Sequence, residues 1–358
     1  MRAERYARAM WRWPRLVARR HASPGVRVFY GHDRVPAPDD AVAGGSAKFQ
    51  RLAQRFPNSP TDFSLLYLGS TWLPRDVRPL LWLARRREIP IVVNQSGVAY
   101  PGWAGARTDE INREFRRPLL AADHVLYQSR FCKRSADEFL GEPRGSWEVL
   151  YNAVDVERFT PNGPRPETPV LLLGGDQTQA YRLDVALRTL ALLPEAKLIV
   201  TGRLVSDPEP LLRELRIEDR VEFIGRYAQS AAPQLYRRAL VQLHTKVNDP
   251  CPSAVIEGMA CGLPVVYAAS GGTVELVGDE AGIGVPHPVG WERDEPPAPE
   301  AFAEAVGRVL ADWEHYAAAA RTRTVERFAL EPWLDRHAEI FDALLRGVEL
   351  PARRSRTR

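Results

Sequence analysis

Residues 248–278 read NDPCPSAVIEGMACGLPVVYAASGGTVELVG and place two acids around the start of one short helix-like segment. Asp249 precedes that segment, and Glu257 lies eight positions further on. The apolar run LPVVYA (263–268) follows, and it is typical of a buried strand. This succession of helix, strand and glycine-rich turn indicates an α/β fold.

Short apolar runs alternate with segments of helical period along the rest of the chain, which predicts parallel sheets covered by helices. The strand candidates of the first half are VRVFY (26–30), FSLLYL (63–68), IPIVVN (89–94), HVLYQS (124–129) and WEVLYN (147–152). Those of the second half are PVLLLGG (169–175), AKLIVTG (196–202), RVEFIG (220–225), VQLHTK (241–246) and LPVVYA (263–268). The predicted fold class is α/β, with two doubly wound domains.

A segment rich in proline and glycine, FTPNGPRPETP (159–169), separates the two halves and is typical of a linker. The length of 358 residues agrees with two domains. Strongly helical segments end the chain with no strand between them, and we expect the last helix to cross back to the first domain. The predicted organisation is a basic arm (1–25), a first domain (26–158), a second domain (159–330), a crossover helix (331–350) and a basic tail (351–358).

The composition is that of a globular protein, with 45% hydrophobic and 26% charged residues. The net charge is +4, and much of the excess lies in the first 20 residues, which contain seven arginines and one glutamate. This arm suits a helix on an anionic lipid surface, but Pro14 interrupts it, so a mobile basic arm is the alternative. Nucleic acid is not an expected partner, because the basic residues do not share one aromatic-lined face.

No continuous apolar segment of a secretory signal follows the first arginines, and no window approaches the roughly 20 apolar residues of a transmembrane helix. The cysteines, Cys132, Cys251 and Cys261, are odd in number and lack the spacing of a metal site. A reduced compartment fits them best. We therefore expect a cytoplasmic protein, peripheral on the inner membrane face if the basic arm binds lipid.

Three strand candidates end in residues suited to a phosphate, at the edge where open α/β sheets bind ligands. LLLGGDQTQAYR leaves a strand through Gly174 and Gly175 and reaches Arg182. HTKVNDPCPS leaves another through Lys246 and Asp249, and YAASGGTVE leaves a third through glycines. Singly, a glycine pair is a tight turn and each cation a solvated charge. Together, glycine N–H groups, a helix N-terminus and cations predict a diphosphate pocket.

Other nucleotide and hydrolase signatures are missing from the sequence. It has no G-x-G-x-x-G after a strand, no P-loop, no Cys/His cluster for zinc and no G-x-S-x-G. A nicotinamide or flavin enzyme, a P-loop enzyme and an α/β-hydrolase therefore lack support.

The chain resembles the family-four retaining glycosyltransferases, group 1 type, in AADHVLYQSRFCKRSADEFLG, VLYNAVDVERFTP and DPCPSAVIEGMACGLPVVYAASGGTVELV. The similarity covers most of residues 26–345, and its most specific part is the acid pair with Gly-Gly-x-x-Glu after it. The resemblance implies the GT-B fold of two facing Rossmann-like domains. It also implies transfer of a sugar from a UDP- or GDP-sugar with retention at the anomeric carbon, with no cofactor and no metal.

The resemblance also implies roles for single residues in donor binding and catalysis. Asp249 matches the acid that touches the donor sugar, and Glu257 the acid that holds the ribose hydroxyls. Arg182 and Lys246 are the candidate cations for the departing diphosphate, and Ser253 joins Gly174 and Gly175 as a donor-binding residue. The alternatives are a favourable acid in a first helical turn for Glu257, a turn residue for Asp249 and an N-cap for Ser253.

In the first domain, VAGGSAKFQRLAQ resembles the family's glycine loop that faces the donor. Gly44 and Gly45 are expected to let the backbone approach the sugar phosphate, and Lys48 is expected to be exposed. VVNQSGVAYPG is expected to line the acceptor side, where Asn94 and Gln95 stand in place of the histidine of many relatives. This fits a mechanism in which the leaving phosphate oxygen takes the acceptor proton.

A second departure from the family puts donor binding in question. Asp176 stands where an arginine is usual, and Tyr181 with Arg182 stands where Lys-Gly is usual. The leading hypothesis is a glycosyltransferase acting on a cell-envelope, lipid-linked or small-molecule acceptor. The alternative is a catalytically impaired nucleotide-sugar-binding protein of the same fold. A nucleotide-sugar epimerase lacks a dedicated histidine and acid set.

Overall fold

A computed structural model of the protein describes residues 13, 25–37, 40, 44–348 and 350. They form two compact units. The first unit contains Gly45–Tyr151 together with residues 25–37 and 331–348, and the second contains Asn152–Leu330. Except for Trp13 and Gly25, the predicted basic arm lies outside the described residues, and so does the basic tail.

The first unit is built on a five-stranded parallel sheet in sequential order. Its strands are β1 (Val28–Phe29), β2 (Leu65–Gly69), β3 (Ile91–Gln95), β4 (His124–Tyr127) and β5 (Ser146–Val149). Its helices are α1 (Gly44–Arg55), α2 (Val77–Arg86), α3 (Pro101–Ala104), α4 (Thr108–Ala121) and α5 (Arg130–Phe139), with 3₁₀ turns at Ser70–Trp72 and Gly105–Arg107. The residues of β2 to β4 are all buried, as expected for parallel strands covered on both faces.

The second unit is built on a six-stranded parallel sheet in the order β11-β10-β9-β6-β7-β8. Its strands are β6 (Val170–Leu173), β7 (Lys197–Thr201), β8 (Val221–Gly225), β9 (Val241–His244), β10 (Val265–Ala268) and β11 (Gly282–Val285). Its helices are α6 (Ala180–Ala191), α7 (Glu209–Leu215), α8 (Ala232–Arg237), α9 (Ser253–Ala260), α10 (Thr273–Val277), α11 (Pro299–Ala311) and α12 (Trp313–Arg327), with a 3₁₀ turn at Glu218–Arg220.

The strand order of this second sheet reverses between β6 and β9, which are hydrogen-bonded neighbours. After β6 the chain moves outward to β7 and β8, and it then returns to β9 on the other side of β6. Such a switch point leaves a crevice beyond the carboxyl ends of the two central strands, where open α/β sheets bind ligands.

The last helix, α13 (Leu330–Leu345), packs on the first unit, so its predicted return to the first domain is confirmed. Arg336 Nη2 lies 2.7 Å from Glu148 Oε2, and Tyr67 Oη lies 3.2 Å from His337 Nε2. None of the helices in the described ranges combines the length and the apolar character needed to cross a membrane.

Two features of the second unit differ from the sequence-based expectation. The strand β11 was not predicted, because Gly282 and Gly284 hide its β character. Gly282 is required there, since a Cβ on it would lie 2.0 Å from the Val265 carbonyl oxygen of β10. The division between the units also falls at residues 151 and 152 rather than 158 and 159, because Asn152 Nδ2 donates to the Cys251 carbonyl at 2.8 Å.

Candidate functional site

The loop after β6 is held from within the unit by Arg182. This residue lies in the first turn of α6 and is 4% exposed. Its guanidinium donates to two backbone carbonyls of the loop, that of Asp176 at 2.5 Å and that of Gly174 at 3.3 Å. Burial lowers the pKa of Arg182. Arg182 therefore fixes the glycine loop, and its guanidinium is buried against backbone carbonyls, although the sequence suggested it as a cation for the diphosphate.

The glycine pair of this loop is used for backbone geometry. Gly175 has φ +83°, which favours glycine, and its N–H donates to Thr201 Oγ1 at 3.0 Å. A Cβ on Gly174 would lie 3.3 Å from Gln242 Nε2. The amide of Gly175 is thus already bonded to the neighbouring strand β7, and the loop is fixed before any ligand arrives.

The acid after β9, Asp249, lies between two basic side chains. Its Oδ2 is 3.2 Å from Lys246 Nζ and 3.4 Å from His244 Nε2. Burial alone would raise the pKa of Asp249, but the charge of Lys246 and the contact with His244 outweigh it and hold the pKa well below its usual range. The Asp249 side chain is 13% exposed, so this carboxylate is ionised in a largely desolvated place.

The loops after β9 and β10 hold the Asp249 backbone. Gly272 N–H donates to the Asp249 carbonyl at 2.8 Å, and Asn248 N–H donates to Ser270 Oγ at 2.9 Å. Gly271 has φ +68°, and a Cβ on it would lie 2.6 Å from the backbone N and O of Asp249. Glycine is therefore required at position 271 for Asp249 to lie where it does.

The second acid, Glu257, is 5% exposed, and both oxygens of its carboxylate accept hydrogen bonds from other side chains. Its Oε1 accepts a hydrogen bond from Gln229 Nε2 at 2.9 Å, and its Oε2 accepts one from Tyr236 Oη at 3.0 Å. The sequence predicted Glu257 in the first turn of this helix. The helix α9 begins at Ser253, so Glu257 lies in its second turn instead. Ser253 is the first helical residue and does not cap; Pro252 occupies the cap position.

Asp176, the unusual acid of the loop after β6, forms a salt bridge with a cation. Its carboxylate accepts hydrogen bonds from Arg226 Nη2 at 2.5 Å, from Arg226 Nε at 3.2 Å and from Arg203 N–H at 2.9 Å. Burial opposes the charge, but these hydrogen bonds lower the pKa of Asp176. One carboxylate thereby joins the loops that follow β6, β7 and β8.

The first unit holds a separate polar cluster at the carboxyl end of β3. Asn94 Oδ1 accepts hydrogen bonds from Lys48 Nζ at 2.7 Å and from Gln128 Nε2 at 2.6 Å. Lys48 was expected to be exposed, and this was wrong: it is 2% exposed, because α1 directs it onto the end of β3. Gln95 Nε2 donates to the carbonyls of Ser96 at 3.0 Å and Gly97 at 3.1 Å.

The glycines that precede this cluster begin α1, with Gly44 as its first residue. A Cβ on Gly45 would lie 3.0 Å from Thr71 Oγ1, so the helix start lies close to the 3₁₀ turn after β2. Gly45 thus permits a close approach of the backbone, although its neighbour here is a protein side chain.

The sequence reasoning did not single out four residues that contact the candidate site residues. They are His244, Arg226, Tyr236 and Gln229. For His244 a signal existed, because it ends β9 two positions before Lys246 and so points to the same side. The partners of Asp176 and Glu257 carry no local signal in the sequence.

The structure therefore brings Gly174, Gly175, Arg182, Lys246 and Asp249 to the carboxyl ends of β6 and β9, with Glu257 on the helix that follows. Asn94 and Gln95 lie at the end of β3 in the other unit. Within the described ranges, no group of three histidine, cysteine, aspartate or glutamate side chains is placed to hold a metal ion.

Comparison with known proteins gives matches to glycosyltransferases. The family model described as glycosyl transferases group 1 matches residues 157–324. An uncharacterised glycosyltransferase of Methanocaldococcus jannaschii is 26% identical over 208 residues, which cover 53% of this chain and 51% of that protein. The D-inositol 3-phosphate glycosyltransferase of Mycobacterium marinum is 28% identical over 288 residues, or 72% and 60% of the two chains. The chain spans about half the length of the first of these relatives.

The solved structures that match share the fold. HepE of Anabaena in complex with UDP-glucose superposes with a TM-score of 0.71 at 16% identity, covering 89% of this chain and all of that one (100%). The predicted fold class, α/β of the GT-B kind, is confirmed by this likeness and by the two parallel sheets. The predicted resemblance is confirmed for the group 1 glycosyltransferases, whose family model matches residues 157–324.

Proposed function

We propose that this protein is a retaining glycosyltransferase that moves a sugar from a nucleotide diphosphate donor to a cell-envelope, lipid-linked or small-molecule acceptor. The second unit binds the donor beyond the carboxyl ends of β6 and β9. The observation that carries the proposal is Asp249, which is kept ionised between Lys246 and His244 at a switch point inside the matched segment.

Each side chain of this site has a role that follows from its geometry. When the bond to the sugar breaks, negative charge grows on the departing diphosphate, and Lys246 supplies a fixed cation beside it. Asp249 orients that cation and accepts hydrogen bonds from the sugar hydroxyls. Glu257 holds the ribose, and Tyr236 and Gln229 fix both of its oxygens before the nucleotide arrives.

The proton of the acceptor hydroxyl passes, in this proposal, to the leaving phosphate oxygen on the same face of the sugar. Lys48, Gln128 and Tyr67 contact the Asn94 side chain, and none of them is a histidine or an acid. Asn94 and Gln95 therefore act on the acceptor side by orientation. The reaction uses no cofactor, and protein cations take the place of a metal at the diphosphate.

The donor is proposed to be a UDP- or GDP-sugar. The structural relative HepE is described in complex with UDP-glucose, which supports the uridine form. The Mycobacterium marinum relative is a D-inositol 3-phosphate glycosyltransferase, so a small phosphorylated acceptor is one class to test beside lipid-linked sugars. We propose further that the arginine-rich residues 1–25 bind an anionic membrane surface.

A second candidate function is binding of a nucleotide-sugar without turnover. Asp176 favours it, because an acid near a diphosphate weakens binding. Arg226 donates to both oxygens of Asp176, and this pairing reduces the repulsion between Asp176 and a diphosphate. The ionised Asp249 with its cation Lys246 favours the enzyme over the binding protein.

The test is calorimetry with UDP, GDP and their sugars on the native protein and on three variants, combined with a donor-hydrolysis assay. Glu257→Ala should weaken binding of free nucleotide by about tenfold or more, which is at least 1.4 kcal/mol. Asp249→Ala should abolish turnover while free nucleotide binds nearly as before. Arg308→Ala, an exposed cation on α11, is the control and should change neither. Equal loss of nucleotide affinity in both acid variants would contradict the division of roles, and tight binding with no turnover of any donor would favour the second candidate.

A further inference from the structure

A cavity of about 700 Å³ opens at the edge of the second sheet opposite to the candidate site. Its lining includes Val170, Lys197 and Val221, the first residues of β6, β7 and β8. Asp249 follows the last residue of β9 instead, at the carboxyl edge of the same parallel sheet. An occupant of this cavity would therefore not compete with a ligand at the carboxyl ends of the strands.

The charge of the cavity lining is strongly positive. Five cations line it, namely Arg165, Lys197, Arg220, Arg237 and Arg238, against two carboxylates. One carboxylate, Glu222, is already bound by Arg238. The other is Asp219, which is exposed. Neutralising the lining would take an anion with about three charges.

Four of these cations line the cavity without a salt bridge. Within the described part of the chain, Arg165, Lys197, Arg220 and Arg237 make none, and Arg220 donates instead to backbone carbonyls, among them that of Leu193 at 2.8 Å. Arg165 donates to the carbonyls of Ala239, at 3.3 Å, and Cys261, and its guanidinium lies 5.6 Å from the Trp313 ring centre. Arg237 donates to the Thr160 carbonyl at 3.5 Å. Burial and the charge of neighbouring Arg237 both lower the pKa of Arg165. Two guanidinium groups that repel each other in a partly buried place are stabilised by an anion between them.

Apart from Gln234, the rest of the lining is apolar. It consists of Pro164 and Pro166 of the linker and of strand residues, namely Val170, Leu198, Ile199 and Val221. The size falls within the range of roughly 300–1,000 Å³ that small-molecule sites occupy. A small, highly charged molecule with a compact body fits this combination of apolar wall and cationic rim.

We propose that this cavity binds a compact polyphosphate anion, either free or carried by a small organic molecule. The cations converge on it from the linker segment, from the starts of two strands and from α8, so the occupant joins these elements. The two sources of the same chemistry are represented by inorganic tripolyphosphate and fructose 1,6-bisphosphate.

The experiment is isothermal titration of each probe into the full-length protein at about 0.15 M salt, where exposed charges are largely screened. The cavity variant is Lys197→Ala with Arg237→Ala. The charge-matched control is Arg213→Ala with Arg308→Ala, two exposed cations of the same unit that do not line the cavity. Lys246→Ala removes the cation of the candidate donor site and shows whether a probe binds there instead.

We expect at least one of the probes to bind the native protein with one molecule per chain. Its affinity should be about tenfold weaker for the cavity variant, and within about twofold of the native value for the control variant and for Lys246→Ala. Tighter binding of the bisphosphate would identify the organic source, and tighter binding of tripolyphosphate the inorganic one. The proposal is overturned by no binding at about 1 mM of either probe, by equal loss in the control, or by loss in Lys246→Ala alone. If the double variant does not fold, Lys197→Glu, at an exposed strand start, replaces it with the same expected loss.

Discussion

Arg226 donates two hydrogen bonds to Asp176, at 2.5 and 3.2 Å, across the strand ends of the second sheet. The two residues follow β8 and β6, and β7 lies between these strands. Asp176 also accepts the N–H of Arg203 after β7 at 2.9 Å. The acid that departs from the family pattern is therefore a ligand for its neighbouring loops, and its charge reaches the candidate donor site already paired.

The first prediction concerns the charge of this pair. Arg226→Ala should weaken binding of a nucleotide diphosphate by on the order of 1 kcal/mol, about fivefold, because Asp176 then repels the diphosphate unopposed. The double variant Asp176→Ala with Arg226→Ala should recover most of the lost affinity. Calorimetry with UDP and GDP measures both. A double variant as weak as Arg226→Ala alone would show that Arg226 contacts the ligand itself and that pairing is not its role.

Much of the fold could be predicted from the sequence, and the reason is visible in particular strands. The runs FSLLYL and IPIVVN are continuous apolar segments, and they became the fully buried β2 and β3. Burial on both faces of a parallel sheet leaves that local pattern. The strand β11 leaves no such pattern, because close packing against β10 requires glycine at position 282 and because Gly284 is the second glycine among its four residues.

The site was predicted less completely, because its contacts join residues that are far apart in sequence. Asp176 and Arg226 are separated by 50 positions, and Lys48 and Asn94 by 46. Neither separation produces a periodic pattern. The sequence placed the acids and cations at the right strand ends, but whether a side chain is buried or paired depends on the neighbouring strand. Lys48 illustrates this, since a lysine is usually exposed and this one is covered by β3.

The second prediction compares two glycines of the candidate site that both have positive φ. Gly175→Ala meets open space, so it should cost only the backbone strain of about 1–2 kcal/mol. Gly271→Ala adds a Cβ at 2.6 Å from the Asp249 backbone and should cost clearly more, roughly 3–4 kcal/mol. The free energy of unfolding in urea measures the difference.

The same pair of variants separates stability from function. Gly271→Ala should also reduce turnover, because the backbone of Asp249 has to move away from the new methyl group. Gly175→Ala serves as the matched control with the same substitution and the same sign of φ. Equal destabilisation in both variants would show that the approach of Gly271 to Asp249 does not constrain the loop.

The third prediction concerns the buried lysine of the first unit. Asn94→Ala removes the oxygen that accepts hydrogen bonds from Lys48 at 2.7 Å and Gln128 at 2.6 Å. We expect a loss of about 2–3 kcal/mol of stability, because the buried Lys48 and Gln128 each lose one acceptor in the interior. Adding Lys48→Met to Asn94→Ala should restore part of the loss. Strictly additive costs, measured by urea unfolding of the single and double variants, would show that the two side chains do not depend on each other.

The fourth prediction concerns pH and the two buried histidines of the first unit. Burial lowers the pKa of His337 to about 3 and that of His124 to about 4. His337 Nδ1 donates to the Trp333 carbonyl at 2.8 Å, so Nε2 of the neutral ring accepts from Tyr67 Oη at 3.2 Å. The contact with Trp333 raises the pKa of His337, but burial outweighs it, and His124 and Arg336 lower the pKa further. In the unfolded chain each histidine takes up its proton near pH 6.5. The unfolded state therefore binds more protons than the folded state between pH 6.5 and the lowered values.

Stability of the first unit should consequently fall as the pH falls below 6.5. Each buried histidine should contribute a loss of about 2 kcal/mol between pH 7 and pH 5, and the decline should continue toward pH 4. His337→Gln should remove about half of this slope in a series of melting curves, since His124 remains. His315→Gln, at an exposed position on α12, should leave the slope unchanged. A slope that is the same in His337→Gln and in the native protein would mean that His337 is already protonated in the folded state.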